Sequence, residues 1–198
     1  MVATVKVYQA YGGSDGSPSE SEITTSTRLQ TKDQFDPADT TYPVPIPASA
    51  PPYKYSHWIH VFLKITGGSF TKINNIRFYS DGSIGWYYGS AGALLRGARD
   101  SSDQGVPMNT SYEKATGTDG VVGDAIDAAG NGHGYYKTQT TPVVAVSTDT
   151  ASVPATIDST DHTLTGRCKA VVLQVKVDAD ATQGEQADET LTFLYDEI

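Results

Sequence analysis

The chain has few of the residues that cross-link a small fold or place it in a membrane. Cys168 is the one cysteine among 198 residues, so no disulfide can form within the chain. It lies in an alternating strand pattern, which is typical of a buried, inert thiol. No apolar run approaches the ~20 residues that span a membrane. The N-terminus has no basic region followed by an apolar run, so we expect neither a membrane segment nor a secretory signal.

Positive charge is also scarce. The sequence has 14 lysines and arginines against 23 aspartates and glutamates, a formal net charge of -9. Binding to nucleic acid needs a cluster of cations facing the phosphates, so we expect no nucleic-acid partner. The acidic charge is compatible with binding to a basic protein surface, or it serves solubility alone.

Motifs of catalysis are missing from the sequence. The stretch Gly12-Gly-Ser-Asp-Gly16 has the letters of the Gly-x-Ser-x-Gly elbow, but its pattern is that of a flexible loop. No glycine-rich loop ends in Lys-Ser/Thr, so nothing indicates an activated serine or a phosphate site. His57 and His60 are three apart in a strand pattern and point to opposite faces, which prevents them from chelating one metal. His133 stands among glycines, which predicts a mobile loop. We therefore predict no enzyme, no catalytic residue and no cofactor.

One acidic loop has part of a calcium-binding pattern. Oxygen-bearing side chains occupy positions one, three, five and twelve of a calcium loop, at Asp178, Asp180, Thr182 and Glu189. The sharp-turn glycine comes one position late, at Gly184, and strand patterns rather than helices flank the loop. These are weak metal candidates, and an acidic hairpin tip is the favoured interpretation.

Apolar alternation with a period of two predicts strands. A first strand is predicted at Ala3–Val7, a polar second one at Ile23–Leu29, and a central one at His57–Ile65, which is apolar on both faces. The central strand opens a predicted three-stranded meander over residues 56–89. The pattern over residues 166–198 predicts two strands that pair as a hairpin and complete the domain. Further strands are predicted at Tyr135–Tyr136, Val143–Val146 and Val153–Ile157.

Two segments are irregular in pattern. Residues 42–52 contain five prolines, which predicts an extended stretch, laid across the domain surface or docked on a neighbouring subunit. Residues 90–134 are mostly polar, with one short helical turn predicted at Ala91–Ala98, and such a long irregular insertion is typical of an interaction loop. The candidate interaction residues from these segments are Tyr42, Pro43, Pro45, Pro47, Pro51, Pro52, Asp100 and Asp103.

The fold predicted from these patterns is a single all-β domain over residues 1–198. We expect an antiparallel β-sandwich, Ig-like or jelly-roll-like, with long irregular loops.

Three stretches carry a resemblance to a known group of proteins. They are Tyr55-Ser-His-Trp58, Thr71-Lys-Ile-Asn-Asn-Ile-Arg-Phe-Tyr-Ser-Asp-Gly82 and Glu189-Thr-Leu-Thr-Phe-Leu-Tyr-Asp-Glu197. Together they resemble small all-β structural proteins of the virions of tailed bacteriophages. The resemblance covers packing and turn sequences and leaves residues 90–162 without a counterpart. It implies a protein of the virion, assembled in the host cytoplasm and contacting the major capsid protein or tail proteins, as a homo-oligomer or bound to a lattice.

Within that class, a capsid decoration or accessory protein is the leading interpretation, and a tail or head–tail connector component is the alternative. A carbohydrate-binding β-sandwich module is the alternative from a different class. Its stacking platforms would come from Trp58, Trp86, Tyr87 and Tyr88. Exposure separates the two classes, because sugar-binding rings must face solvent.

Overall fold

A computed structural model describes residues 2–81 and 88–198. These residues form ten β-strands and one 3-10 turn, Val146–Thr148. Within them no helix is long and apolar enough to cross a membrane. The strands are β1 (Ala3–Tyr11), β2 (Ser19–Glu22), β3 (Lys54–Tyr55), β4 (Ile59–Gly68), β5 (Ile73–Ser80), β6 (Ala93–Gly97), β7 (Val143–Ala145), β8 (Ala155–Asp158), β9 (Gly166–Val177) and β10 (Leu191–Glu197).

The described strands form two antiparallel sheets. The large sheet has the order β2-β1-β4-β9-β6-β7, with β3 paired to the end of β9, and the small sheet has the order β10-β5-β8. Strands β4 and β9 lie at the centre of the large sheet, and most of their side chains are apolar and buried on both faces. The central strand predicted at His57–Ile65 is therefore confirmed, with the bounds Ile59–Gly68.

The first core lies between the two sheets. Alternate side chains of β4, such as Val61 and Leu63, face Ile76 and Phe78 of β5 across this space, together with apolar residues of β9. Because strand side chains alternate between faces, the period-two pattern alone places them in one layer. The predicted all-β antiparallel sandwich is confirmed.

The other face of the large sheet is covered by irregular chain. We call residues 99–142 the cover segment. Its buried side chains include Val106, Met108, Tyr112 and Ile126, which pack in two clusters on side chains of β4 and β9. The backbone of Val106 also exchanges two hydrogen bonds of 2.9 Å with Ala170 of β9. The mostly polar insertion predicted at residues 90–134 therefore packs on the domain, and residues 99–120 form part of a third layer of the fold.

The predicted pairing of neighbouring strands is wrong at two places. Strands β9 and β10 belong to different sheets, so residues 166–198 do not form a hairpin. Strands β4 and β5 are likewise in different sheets, and residues 56–89 do not form a meander. Sequential strands pair only about two-thirds of the time. Here the chain crosses from one sheet to the other after Gly68, before β5, and again in the acidic loop after β9.

Local corrections concern two predicted elements. The second strand is β2, at Ser19–Glu22, and ends before Ile23, which packs on the core instead of continuing the strand. The segment Ala91–Ala98 contains β6 rather than a helical turn, because hydrogen bonds to β7 and β9 hold it extended.

Of the remaining predicted strands, Val143–Val146 and Val153–Ile157 correspond to β7 and β8. Tyr135–Tyr136 lies in turns instead. The third strand of the predicted meander, at Ile84–Gly89, falls largely outside the described residues.

Candidate functional site

The proline segment, residues 42–52, lies on its own domain. The backbone N–H of Thr31 donates to the Tyr42 carbonyl over 2.9 Å. Val44 packs against the inter-sheet core and Pro47 is buried. The stretch is therefore fixed at several points along the surface of the sandwich.

The same segment leaves apolar side chains in solvent. Ile46 is 36% exposed. Four of the prolines predicted as interaction residues are also exposed: Pro43, Pro45, Pro51 and Pro52. A segment whose backbone is already held in place loses little conformational entropy when a partner covers these groups.

The two candidate aspartates of the cover segment bind groups within the chain. The carboxylate of Asp100 accepts hydrogen bonds from the backbone N–H of Thr140 over 2.7 Å and of Thr141 over 3.2 Å, which lowers its pKa. Asp103 accepts a hydrogen bond from Ser159 Oγ over 3.1 Å and contacts the Lys169 ammonium. Both carboxylates thus hold loops together.

The acidic loop after β9 also makes contacts within the fold. Asp178 accepts a hydrogen bond from the Ala91 N–H over 2.9 Å, and Asp180 accepts one from the Ser90 N–H over 2.9 Å. These bonds fix the turn that precedes β6. Thr182 is exposed, and Glu189 contacts the hydroxyl of Ser80, at the end of β5. Two of the four calcium candidates are therefore bonded to backbone amides.

A different group of ligand-type side chains meets where the two sheets adjoin. Within the described residues, one group of at least three histidine, cysteine or acidic side chains could hold a metal ion: Asp158, His162 and Cys168, whose ligand atoms all lie within 4.8 Å of one another. Sequence reasoning missed this group because Asp158 ends β8 in the small sheet and Cys168 lies in β9 of the large sheet. The sequence does contain the spacing Asp-x3-His-x5-Cys, which could have indicated this group of metal-binding side chains.

Hydrogen bonds keep Asp158 ionised although it is buried. Burial opposes its charge, but donation from His162 Nε2 over 2.8 Å and from the backbone N–H groups of Lys169 and Thr160 lowers its pKa to about 2. Burial, helped by the Asp158 charge, raises the pKa of the Cys168 thiol to about 12. The thiol is therefore protonated at neutral pH, unlike an activated nucleophile.

A buried histidine pair joins β4 to the cover segment. The Nε2 atoms of His60 and His133 are 3.1 Å apart, so the predicted mobile loop at His133 is wrong. The N–H of Tyr135 donates to His133 Nδ1 over 3.2 Å, which places the ring proton of His133 on Nε2, where it donates to His60. The Glu113 carboxylate lies 3.8 Å from His133 Nδ1, but that nitrogen is an acceptor, so the contact is not an ion pair.

This pair predicts an acid-sensitive fold. Burial lowers the pKa of His60 well below its ordinary value and that of His133 to about 3. Below pH 6.5 these histidines become protonated in the unfolded chain but stay neutral in the folded chain. The free energy of unfolding therefore has its full value above pH 6.5 and decreases as the pH falls toward the pKa of the histidines in the folded state. At pH 5 we expect a loss of about 2 kcal/mol for each histidine that stays neutral.

Urea melts at pH 7, 6 and 5 measure this loss, and the readout is the slope of stability against pH. In His133→Asn the slope should be smaller, whatever the variant's stability at pH 7. A parent protein equally stable at pH 7 and pH 5 would contradict the prediction.

Two of the four aromatic residues considered as sugar platforms are buried. Trp58 is 1% exposed, and Tyr88 is buried against the inter-sheet core. Trp86 and Tyr87 lie outside the described residues. Neither of the described rings presents a face on which a sugar could stack.

Comparison with family models, with curated proteins and with solved structures returns no match for this chain.

Proposed function

We propose that this protein is a structural component of a phage virion, acting through protein–protein contacts, most simply as a capsid decoration or accessory protein. A tail or head–tail connector component is the alternative place in the particle. The resemblance of residues 55–58, 71–82 and 189–197 to virion proteins supports the class.

The observation that carries the proposal is the proline segment, with exposed prolines and Ile46 on a backbone held by its own domain. Anchored apolar groups of this kind suit docking on a neighbouring subunit, because the ordering cost of binding is low. The acidic net charge of -9 would complement a basic patch on a shell protein. However, Asp39, Asp100 and Asp103 already bind partners within the chain, so we expect the apolar contacts to dominate.

Particles purified from the organism that carries the gene would test the proposal. We expect the chain in a fixed ratio to the major capsid protein, and single-particle microscopy should find it at symmetric positions. A position on the tail or at the portal vertex would select the alternative. Absence of the chain from particles that contain the encoding genome would refute a virion role.

The docking role of the proline segment has its own test. Ile46→Asp should weaken binding to particles produced without this gene by about tenfold or more, because the change puts a charge into an apolar contact. Val153→Asp, at another exposed apolar residue, is the matched control and should bind like the parent. Equal binding by all three proteins would mean that the segment takes no part in attachment.

Hydrogen exchange extends the same test to the backbone. Amides at Ile46 and Ala48–Ala50 should exchange quickly in the free protein and slowly in the assembled particle. The Val106 amide, bonded to Ala170, should be protected in both states.

A further inference from the structure

We propose that Asp158, His162 and Cys168 form a binding site for a divalent transition-metal ion of the Zn²⁺ type. The three side chains offer one carboxylate oxygen, one imidazole nitrogen and one sulfur, and these atoms lie within 4.8 Å of one another. Zinc takes this mixture of ligands in four-coordinate sites, whereas calcium and magnesium prefer oxygen alone. The proposal does not depend on a role in the virion.

The backbone fixes all three ligands before any metal binds. Asp158 ends β8, and Cys168 lies within β9. His162 belongs to the connection between them, where its N–H donates to the Ile73 carbonyl over 2.8 Å and its carbonyl accepts from the Ile73 N–H over 2.9 Å. Such preorganisation reduces the entropy lost on binding.

The nitrogen–oxygen distance needs only a small adjustment. His162 Nε2 and Asp158 Oδ2 are 2.8 Å apart. With bonds of about 2.0–2.1 Å, a tetrahedral ion sets nitrogen and oxygen ligands about 3.3 Å apart. The His162 side chain is 18% exposed and can turn outward by this amount, while the N–H of Lys169 continues to hold the carboxylate over 2.9 Å. A backbone donor of this kind orients a ligating carboxylate.

An ion can reach the site from solvent. The three ligands line a cleft of about 270 Å³ that also includes Asn109 and the exposed Thr160, which leaves room for water at a fourth position. Two cations border the cleft, and each is paired with an acid. Lys169 lies 3.6 Å from Asp158 Oδ1 and contacts Asp103, and Arg167 contacts Glu20.

Charge and protons balance in the binding step. Cys168 enters as a thiol, its S–H bond breaks, and the proton leaves to solvent as the sulfur–metal bond forms. The ring proton that His162 shares with Asp158 moves by way of solvent from Nε2 to Nδ1, so that the Nε2 lone pair can bind the ion. The thiolate and the Asp158 carboxylate then match the two positive charges of the ion. Because Asp158 belongs to the small sheet and Cys168 to the large one, the bound ion would tie the two layers together in a chain that has no disulfide.

Cobalt(II) is the probe for this site, used on the full chain. We expect one equivalent of Co²⁺ to produce a sulfur-to-cobalt charge-transfer band, which reports on Cys168 because the chain has no other cysteine. Zn²⁺ should displace the cobalt and abolish the band. At a hundredfold excess over its Kd, Zn²⁺ should raise the thermal midpoint by about 5–10 °C.

Variants separate a built site from adventitious binding. His162→Gln, at a partly exposed position, should keep the fold and weaken metal binding by at least about tenfold, and Cys168→Ala should lose the band. Asp161→Asn is the matched control, since that carboxylate accepts hydrogen bonds from Lys72 and Asn74 instead, and it should bind like the parent. The proposal fails if the parent shows no charge-transfer band, or if the His162 and Asp161 variants bind equally well.

Discussion

Replacing Trp58 with alanine should lower the free energy of unfolding by about 3–5 kcal/mol, the range for truncating a buried aromatic side chain. Its ring is 1% exposed and lies against His133, with ring centroids 5.5 Å apart. Its Nε1–H donates to the Glu113 carbonyl over 2.7 Å. The variant therefore leaves a cavity under the cover segment and removes a donor from Glu113.

Chemical melts of the parent and two further variants measure this effect. Trp58→Phe keeps a ring and removes the donor, so it should cost less, about 1–3 kcal/mol. Leu164→Ala, at an exposed residue, should change stability by no more than about 0.5 kcal/mol. If Trp58→Ala melted like the parent and abolished binding to a sugar, the carbohydrate-binding alternative would replace the virion proposal.

Removing residues 191–198 should abolish soluble folding. The deletion takes away β10, and with it the ladder along β5 and the contact between Phe193 and Phe78, whose ring centroids are 5.3 Å apart. It also removes the Ile198 carbonyl, which accepts from the N–H groups of Thr71 and Lys72. The small sheet would keep two described strands, too few to cover the core facing it.

Circular dichroism and the soluble yield of the truncated chain measure this loss. Tyr195→Ser is the control, because Tyr195 lies at a bulge in β10 and is 36% exposed, so it should fold with a small loss of stability. A truncated chain with an unchanged thermal midpoint would show that β10 is dispensable.

The sequence predicts the layers of this fold better than its connections. The alternation at β5 and the mostly apolar character of β4 reflect burial, and both are visible in the residues of the strand itself. Pairing depends on the partner, and the partner of β9 on one side is β4, about a hundred residues earlier. The position of β6 depends on its neighbours in the same way, which is why a local helical pattern was misleading there.

The cover segment and the buried histidine pair could not be predicted from local patterns, for a related reason. Val106 and Tyr112 are isolated apolar residues in polar surroundings, and only the second face of the large sheet gives them something to cover. His60 and His133 meet across 3.1 Å although they are 73 residues apart. The proline segment was readable, because proline restricts the chain regardless of its neighbours.

Strand β2 bears on how copies of this protein can associate. It is an edge strand of four residues, Ser19–Glu22, and two of them are glutamates. If two copies paired along this edge, their carboxylates would lie opposite each other, an arrangement that disfavours open-ended growth of a sheet. Glu22 and Glu20 are also held by Lys6 and Lys64. Concentrated solutions at neutral pH should therefore resist fibre formation through this edge, and copies would meet through side chains on the surface of the sandwich.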